Sequence, residues 1–297
     1  MKKRLAIYLA VTFGLSWGIW IPAGIVLRTF ENGEASSATM LGLIAISMFF
    51  PLIGALVANA AVPEKDRIDL AIKPRIRGNG RFYAMAWLLP AVLSIAGAAL
   101  FFLVFPQLFD TDMTALRETL RQAGIPDDQL GIMLAGSFVS ALTYAPLINS
   151  IPAFGEEVGW RGMLFPTLCE TMPQRMAVLV SGIIWGLWHA PIIAMGHNYG
   201  TGYPGHPFAG ILTMILACTA LGCMLAWLRL KTASVWSCAI AHGAINAVAN
   251  LGSVFCTTGA TVFGPSPLGL VGVIPALMLA LICWRHLSAD SPMEQVV

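Results

Sequence analysis

Long apolar runs decide what this chain can become. Several pass twenty positions without an Asp, Glu, Lys or Arg, beginning with Leu5 to Leu27. A run of that length is what a helix needs to cross ~30 Å of hydrocarbon. Charged residues make up only 11% of the 297, against the roughly 25% a soluble domain carries, so there is too little polar surface to cover the chain in water. Mean hydropathy is +0.76, in keeping with a membrane protein.

Eight candidate spans emerge: Leu5–Leu27, Ala38–Val62, Phe82–Phe105, Leu130–Ala153, Met176–Gly196, Ala209–Leu230, Ser234–Phe255 and Pro267–Trp284. All are expected to be helices, because a lone helix satisfies its own backbone hydrogen bonds in lipid. The alternation a barrel demands is absent. The fold class expected is therefore all-α, a polytopic membrane protein of about eight transmembrane helices with a buried polar site. Met1-Lys-Lys-Arg before the first run resembles a signal peptide, but the run is too long for one and lacks an A-x-A site. It is read as a retained span.

Charge placement sets the orientation. With the N-terminus in the cytoplasm and eight spans, 14 of the 17 basic residues fall inside; only Arg28, Arg117 and Arg121 fall outside. That matches the positive-inside rule and places both termini on the cytoplasmic side of the cell membrane. Between spans, Pro63 to Arg81 is a basic cytoplasmic loop, and Asp110 to Gln129 an acidic, partly helical outer connector. His197 to Phe208 is a Gly/Pro/aromatic loop whose two histidines are expected to face water. No basic block with interleaved aromatics is present, so no nucleic-acid partner is expected. The six cysteines form no C-x-x-C pair and read as small apolar residues. Membrane lipids are the expected surroundings. No repeat or linker divides the chain, so residues 1–297 read as one membrane domain. Residues 130–250 form the part that carries chemistry.

Ionisable groups inside a bilayer are costly and point to function. In Phe154-Gly-Glu156-Glu157-Val-Gly-Trp-Arg161, Glu157 and Arg161 are four apart on one helical face, acid first, the favoured order for an ion pair. Glu156 is rotated about 100° away and lacks that partner, which suits a general base. In Trp185-Gly-Leu-Trp-His189-Ala-Pro, an aromatic lies one turn before a histidine and can fix its orientation. In His242-Gly-Ala-Ile-Asn246, an imidazole and an amide, expected to be buried, share a face. Each motif alone also has a plain structural explanation: a solvated helix end, a hydrogen-bonded core histidine, a polar contact between helices. Together they set a carboxylate, two imidazoles and an amide on three spans, a set suited to activating water and stabilising an oxyanion.

The ordered set E-E-x-x-x-R, aromatic-x-x-x-H and H-x-x-x-N resembles the CAAX-protease and bacteriocin-processing family of intramembrane proteases, which includes the Ras-converting prenyl-protein endopeptidases. GEEVGWRG and GLWHAP look like its bacterial members. The likeness covers roughly Leu130 to Asn250. One departure is visible, Trp185 standing where the family motif has Phe.

The resemblance implies an endopeptidase that cuts near the C-terminus of a lipidated or membrane-associated protein substrate, its expected partner. Glu156 and His189 would activate water, and His242 and Asn246 would stabilise the oxyanion. Glu157, Arg161 and Trp185 would support them. It also admits a metalloprotease assignment, with Glu156, His189 and His242 around one zinc ion; the cofactor expected is thus none or one zinc. No H-E-x-x-H is present and Asn is an unusual zinc ligand, which favours the glutamate mechanism. Two other classes compete: a non-proteolytic membrane immunity or chaperone-like protein retaining the fold, and a small transporter with an ionisable relay. One demand follows from depth. Glu156 lies at the predicted edge of its span and His189 deep in its own. To meet, span five must start nearer Pro173, or the Glu156 helix must re-enter the bilayer after Pro152.

Overall fold

The structure, a computed structural model, describes residues 1–30, 34–257 and 261–289, with side chains throughout except at 28–30 and 34–37. Arg28, one of the three basic residues assigned to the outer side, falls outside the described side chains. Helices α1 (Lys2–Phe30), α2 (Glu34–Ser47), α3 (Phe50–Ala60) and α4 (Gly80–Val104) come first. The short α5 (Thr114–Gln122), α6 (Leu130–Leu142), α7 (Ala145–Glu157) and α8 (Phe165–Cys169) follow. Then come α9 (Gln174–Trp188), α10 (Ala190–Ala194), α11 (Phe208–Thr232), α12 (Trp236–Val248) and α13 (Ile274–Arg285). Among the described residues there is no strand, only an isolated bridge between Phe109 and Cys256.

Five segments are long and apolar enough to cross a membrane: Lys2–Leu27, Ala38–Ala60, Gly80–Val104, Phe208–Thr232 and Val235–Phe255. A sixth arises if the bent pair Asp127–Leu142 and Ala145–Cys169 counts as one span. The chain is thus an all-helical integral membrane protein, with five such spans among the described residues, or six with the bent pair, and the count of eight is not confirmed. The two shortfalls have local causes. Between Met176 and Gly196, α9 has 15 residues and stops at His189, where Pro191 has no N–H to continue the ladder. At ~1.5 Å per residue, α9 rises only about 22 Å. Near the end of the chain, the helix within Pro267–Trp284 is α13, only 12 residues long and ending at Arg285.

The most consequential departure lies in the fourth predicted span. Its apolar run, Leu130–Ala153, does not form one rod. The helix breaks at Thr143–Tyr144, just before Pro146, and the two pieces bend by 53°. The residue next to a proline resists the α region, and the proline itself donates no bond backward. Beyond the break the helix does not stop near Ala153. It runs on through α7, a π-helical stretch Val158–Leu164 and α8 to Cys169. Pro152 sits inside α7 without ending it. Glu156 is therefore near the middle of a buried helix and not at a span edge. Span five also starts early, at Gln174 directly after Pro173.

Small residues let these helices close on one another. A Cβ on Gly159 would lie 2.3 Å from Cβ of Pro51 in α3, and one on Gly243 would lie 2.6 Å from the Pro146 carbonyl oxygen in α7. On the opposite end, the 197–208 loop is not simply solvated. Tyr199 is buried and donates to the Leu268 carbonyl at 2.7 Å. His206 is half-buried against Tyr203, and burial lowers the pKa of His197 to about 4.

Candidate active site

Two adjacent carboxylates in α7 face different partners. Oε2 of Glu156 accepts from the indole N–H of Trp160 at 3.0 Å and from that of Trp185 at 2.8 Å. Oε1 of Glu157 accepts from Nη1 of Arg161 at 2.9 Å and lies 2.9 Å from Nδ1 of His242. Glu156, Glu157 and Arg161 are each no more than 2% exposed. Buried charge at that level persists only when paired and hydrogen-bonded, and Arg161 meets that need twice. Its guanidinium also stacks 4.3 Å from the centre of the Trp185 ring.

The two histidines are oriented by acceptors. Nδ1 of His189 lies 2.9 Å from the carbonyl oxygen of Trp185. A carbonyl can only accept, so Nδ1 carries the proton and a neutral His189 presents a bare Nε2. By the same logic Nδ1 of His242 donates to Glu157, leaving its Nε2 free. The His242 ring meets Trp185 edge-on at 5.3 Å. Trp185 thus touches every charged or imidazole group of the cluster except Glu157. Its N–H holds Glu156, its carbonyl holds His189, one face carries Arg161 and one edge meets His242.

Six of the seven singled-out residues, Glu156, Glu157, Arg161, Trp185, His189 and His242, come together in this way. Asn246 does not share their burial. It lies one turn beyond His242 on α12 but is exposed, since that turn approaches the end of the helix at Val248. Trp185 also acts differently from expectation. Its ring is 6.1 Å from that of His189, and the ring set directly against the imidazole is Trp188, at 4.9 Å and 82°.

The zinc assignment is not met by this geometry. Among the described residues no three His, Cys, Asp or Glu side chains are grouped so as to hold a metal ion. The proposed ligand Glu156 instead has one oxygen engaged by two indole donors.

Several contributors were not foreseen. Trp160 stands four residues after Glu156, so helical spacing could have found it. Trp188 donates its indole N–H to Ser16 Oγ at 2.8 Å, and Trp17 donates to the Trp188 carbonyl at 2.9 Å. Tyr8 packs edge-on against Trp160 at 5.9 Å, its hydroxyl buried without a partner. The last three belong to α1, far away in sequence, and no local pattern marks them.

Residues 136–248 match the family described as type II CAAX prenyl endopeptidase Rce1-like. The match contains both glutamates and both histidines. Through this segment the chain is similar to the Rce1-like CAAX prenyl endopeptidases. A relative named CAAX prenyl protease 2, from Methanococcus maripaludis, is 29% identical over 99 residues, or 33% of this chain and 36% of that protein. The chain thus matches only about a third of the length of that relative. The Rce1-like segment holds α7, α9 and α12, the three helices that carry the cluster, whereas α1 and α3 lie before it.

Proposed function

We propose that this protein is an intramembrane endopeptidase of the CAAX-processing type, hydrolysing a peptide bond near the C-terminus of a lipidated or membrane-associated protein. The observation that carries the reading is the pairing within one buried cluster of a carboxylate free of any cation, Glu156, with a histidine whose Nε2 is left bare, His189. Both are keyed to the same residue, Trp185, so a water molecule can be held between them and lose a proton as it attacks the carbonyl carbon. Glu156 takes that proton and returns it to the departing amine, as a general base and then a general acid.

Charge developing on the carbonyl oxygen needs donors. His242 supplies one from Nε2 when protonated, its other nitrogen being held by the Glu157 carboxylate. Asn246, exposed one turn away, supplies a second from its amide once substrate reaches it. Arg161 pairs with Glu157 and holds it in place. No step is routed through a metal. The active site opens toward the cytoplasm in this reading, supported by the convergence of Met1, Arg4, the 65–75 loop and Arg229 around one cavity that reaches Arg161. Residues 130–250 then form the catalytic core of one membrane domain.

Purified protein in detergent, offered membrane-anchored peptides with their native C-termini, tests the reading. Wild type should cleave, and Glu156→Gln and His189→Ala should each lose at least about 10²-fold in kcat, the scale of a lost proton-transfer group. Variants that cleave as fast as wild type would remove these roles. Equal inactivity of all three proteins would move the function to the non-proteolytic class.

A further inference from the structure

A cavity of about 410 Å³ beside the cluster is left without a role by the chemistry above. Six basic side chains line it against three acidic ones. Part of this charge is spent internally: Arg4 is bonded to Glu170, to Thr167 and to the Asp66 carbonyl, and Arg161 to Glu157. The exposed loop residues Lys65, Arg67 and Arg75, and Arg229 of α11, make no ion pair within 4 Å among the described residues. Against these four cations stand Asp66 and Asp69, both exposed, and Asp69 already accepts the Ala71 amide. Arg229 is the most constrained of the four. It is partly buried, and its Nε is fully enclosed without an acceptor. A buried guanidinium donor without a partner is costly, and an anion brought into the cavity would offset it.

Depth in the membrane says which anion. Arg4 lies in the first turn of α1 and Arg229 in the last turn of α11, and both helices are long enough to cross a bilayer. The cavity they both line therefore sits at the level of the lipid headgroups, where basic pockets between transmembrane helices take up anionic lipids. Its wall is not polar throughout: Ile68, Phe165 and Leu230 line it as well. A lone phosphate ion would leave that surface unused, whereas a phosphate carrying a glycerol backbone would cover it. We propose that this cavity binds the phosphodiester of an anionic phospholipid, with Arg229 and Arg75 as its ligands. Arginine suits the role, since its planar fork offers two parallel N–H bonds to one phosphate group. The surplus of cations also selects the headgroup: a lipid of net negative charge is admitted, and the quaternary ammonium of phosphatidylcholine is repelled. Charge and position carry this proposal, which does not rest on the protease reading.

Purified protein, stripped of lipid in a neutral detergent, tests this by native mass spectrometry with dioleoyl phosphatidylglycerol or dioleoyl phosphatidylcholine. Wild type should hold phosphatidylglycerol at least about tenfold more tightly, the weight of a hydrogen bond between charged groups. In Arg229→Ala, and in Arg75→Ala, which alters an exposed loop residue and leaves the helices alone, that ratio should fall towards one. Arg229→Lys should keep part of it. Lys3→Ala removes an exposed charge at the same end of the molecule but outside the cavity, and should keep all of it. No preference in wild type, or an undiminished preference in both Arg229→Ala and Arg75→Ala, would overturn the proposal. So would an equal loss in Lys3→Ala and Arg75→Ala, which would reduce binding to diffuse attraction by a basic face. Inorganic phosphate alone is the last arm. If it raises the melting temperature of wild type but not of Arg229→Ala, and phosphatidylglycerol does no more, the ligand is a soluble phosphate and the lipid assignment falls.

Discussion

At Glu156 two indole N–H groups converge on one carboxylate oxygen, and this explains the motif's departure from a phenylalanine at position 185. A phenyl ring would keep the stacking on Arg161 but give nothing to Glu156. Trp185→Phe is therefore expected to lower kcat by about 10- to 100-fold with helical content unchanged, since a hydrogen bond to a charged acceptor is worth ~1.5–3 kcal/mol. Steady-state kinetics beside circular dichroism would check this; unchanged kcat would mean that the indole N–H is not used. Glu157 makes a separate prediction. Its charge is fully buried and held by Arg161 and His242, with Oε2 unpartnered. Arg161→Met should cost about 3–5 kcal/mol by stranding that charge, whereas Glu157→Gln with Arg161→Met should cost clearly less. Thermal unfolding in detergent separates the two, and equal losses would argue that Arg161 acts through its stacking on Trp185. At this scale the sequence was informative where partners sit one turn apart: Glu157 with Arg161 was legible. The pairing of Glu157 with His242, 85 positions away, was not, because no spacing rule links different helices.

Among the elements, the helix from Ala145 to Cys169 separates hydropathy from structure most clearly. A hydropathy reading ends the span at Ala153 because Glu156, Glu157 and Arg161 score as groups that seek water. In the fold Glu157 and Arg161 pair with each other and Glu156 is held by two indole donors, so the helix continues buried. Hydropathy also counts length without seeing direction, so the 53° bend before Pro146 went unread although the proline was in view. Spans without a sharp break, such as Gly80–Val104 and Phe208–Thr232, were legible to within one or two residues. The same helix tests the role of its glycines. Within the π-helical stretch, a Cβ on Gly159 meets Pro51 at 2.3 Å and the Tyr8 hydroxyl at 2.8 Å, whereas one on Gly14 meets nothing within 4 Å. Gly159→Ala should destabilise by about 1–3 kcal/mol and slow cleavage, because α3 must back away and Trp160 moves with the strained turn. Gly14→Ala should be neutral or slightly stabilising. Equal melting temperatures for the two variants would show that α3 yields without strain.

Across the whole molecule, the Rce1-like segment holds all the proposed chemical groups but not all the walls that position them. Helix α1 lies outside it and yet is latched to the histidine-bearing helix twice: Trp188 donates to Ser16, and Trp17 donates to the carbonyl of Trp188, the residue before His189. Ser16 in turn donates to the Thr12 carbonyl, so its hydroxyl is oriented to accept. These bonds hold α9 at the point where it breaks, and the break sets the angle of His189. Ser16→Ala removes the acceptor and leaves a buried indole donor unsatisfied, costing about 1–3 kcal/mol. If that strain is relieved by a shift at Trp188, the imidazole of His189, packed against it, tilts from its present orientation. Ser16→Ala combined with Trp17→Phe should therefore lower kcat by roughly tenfold or more, since misplacing a catalytic group by about 1 Å can cost 10²-fold. KM should change little, because neither residue lines the cavity that reaches Arg161. A lower melting temperature with unchanged kcat would make α1 a structural brace alone. A fall in kcat would make a helix outside the matched segment part of the apparatus that aims the histidine.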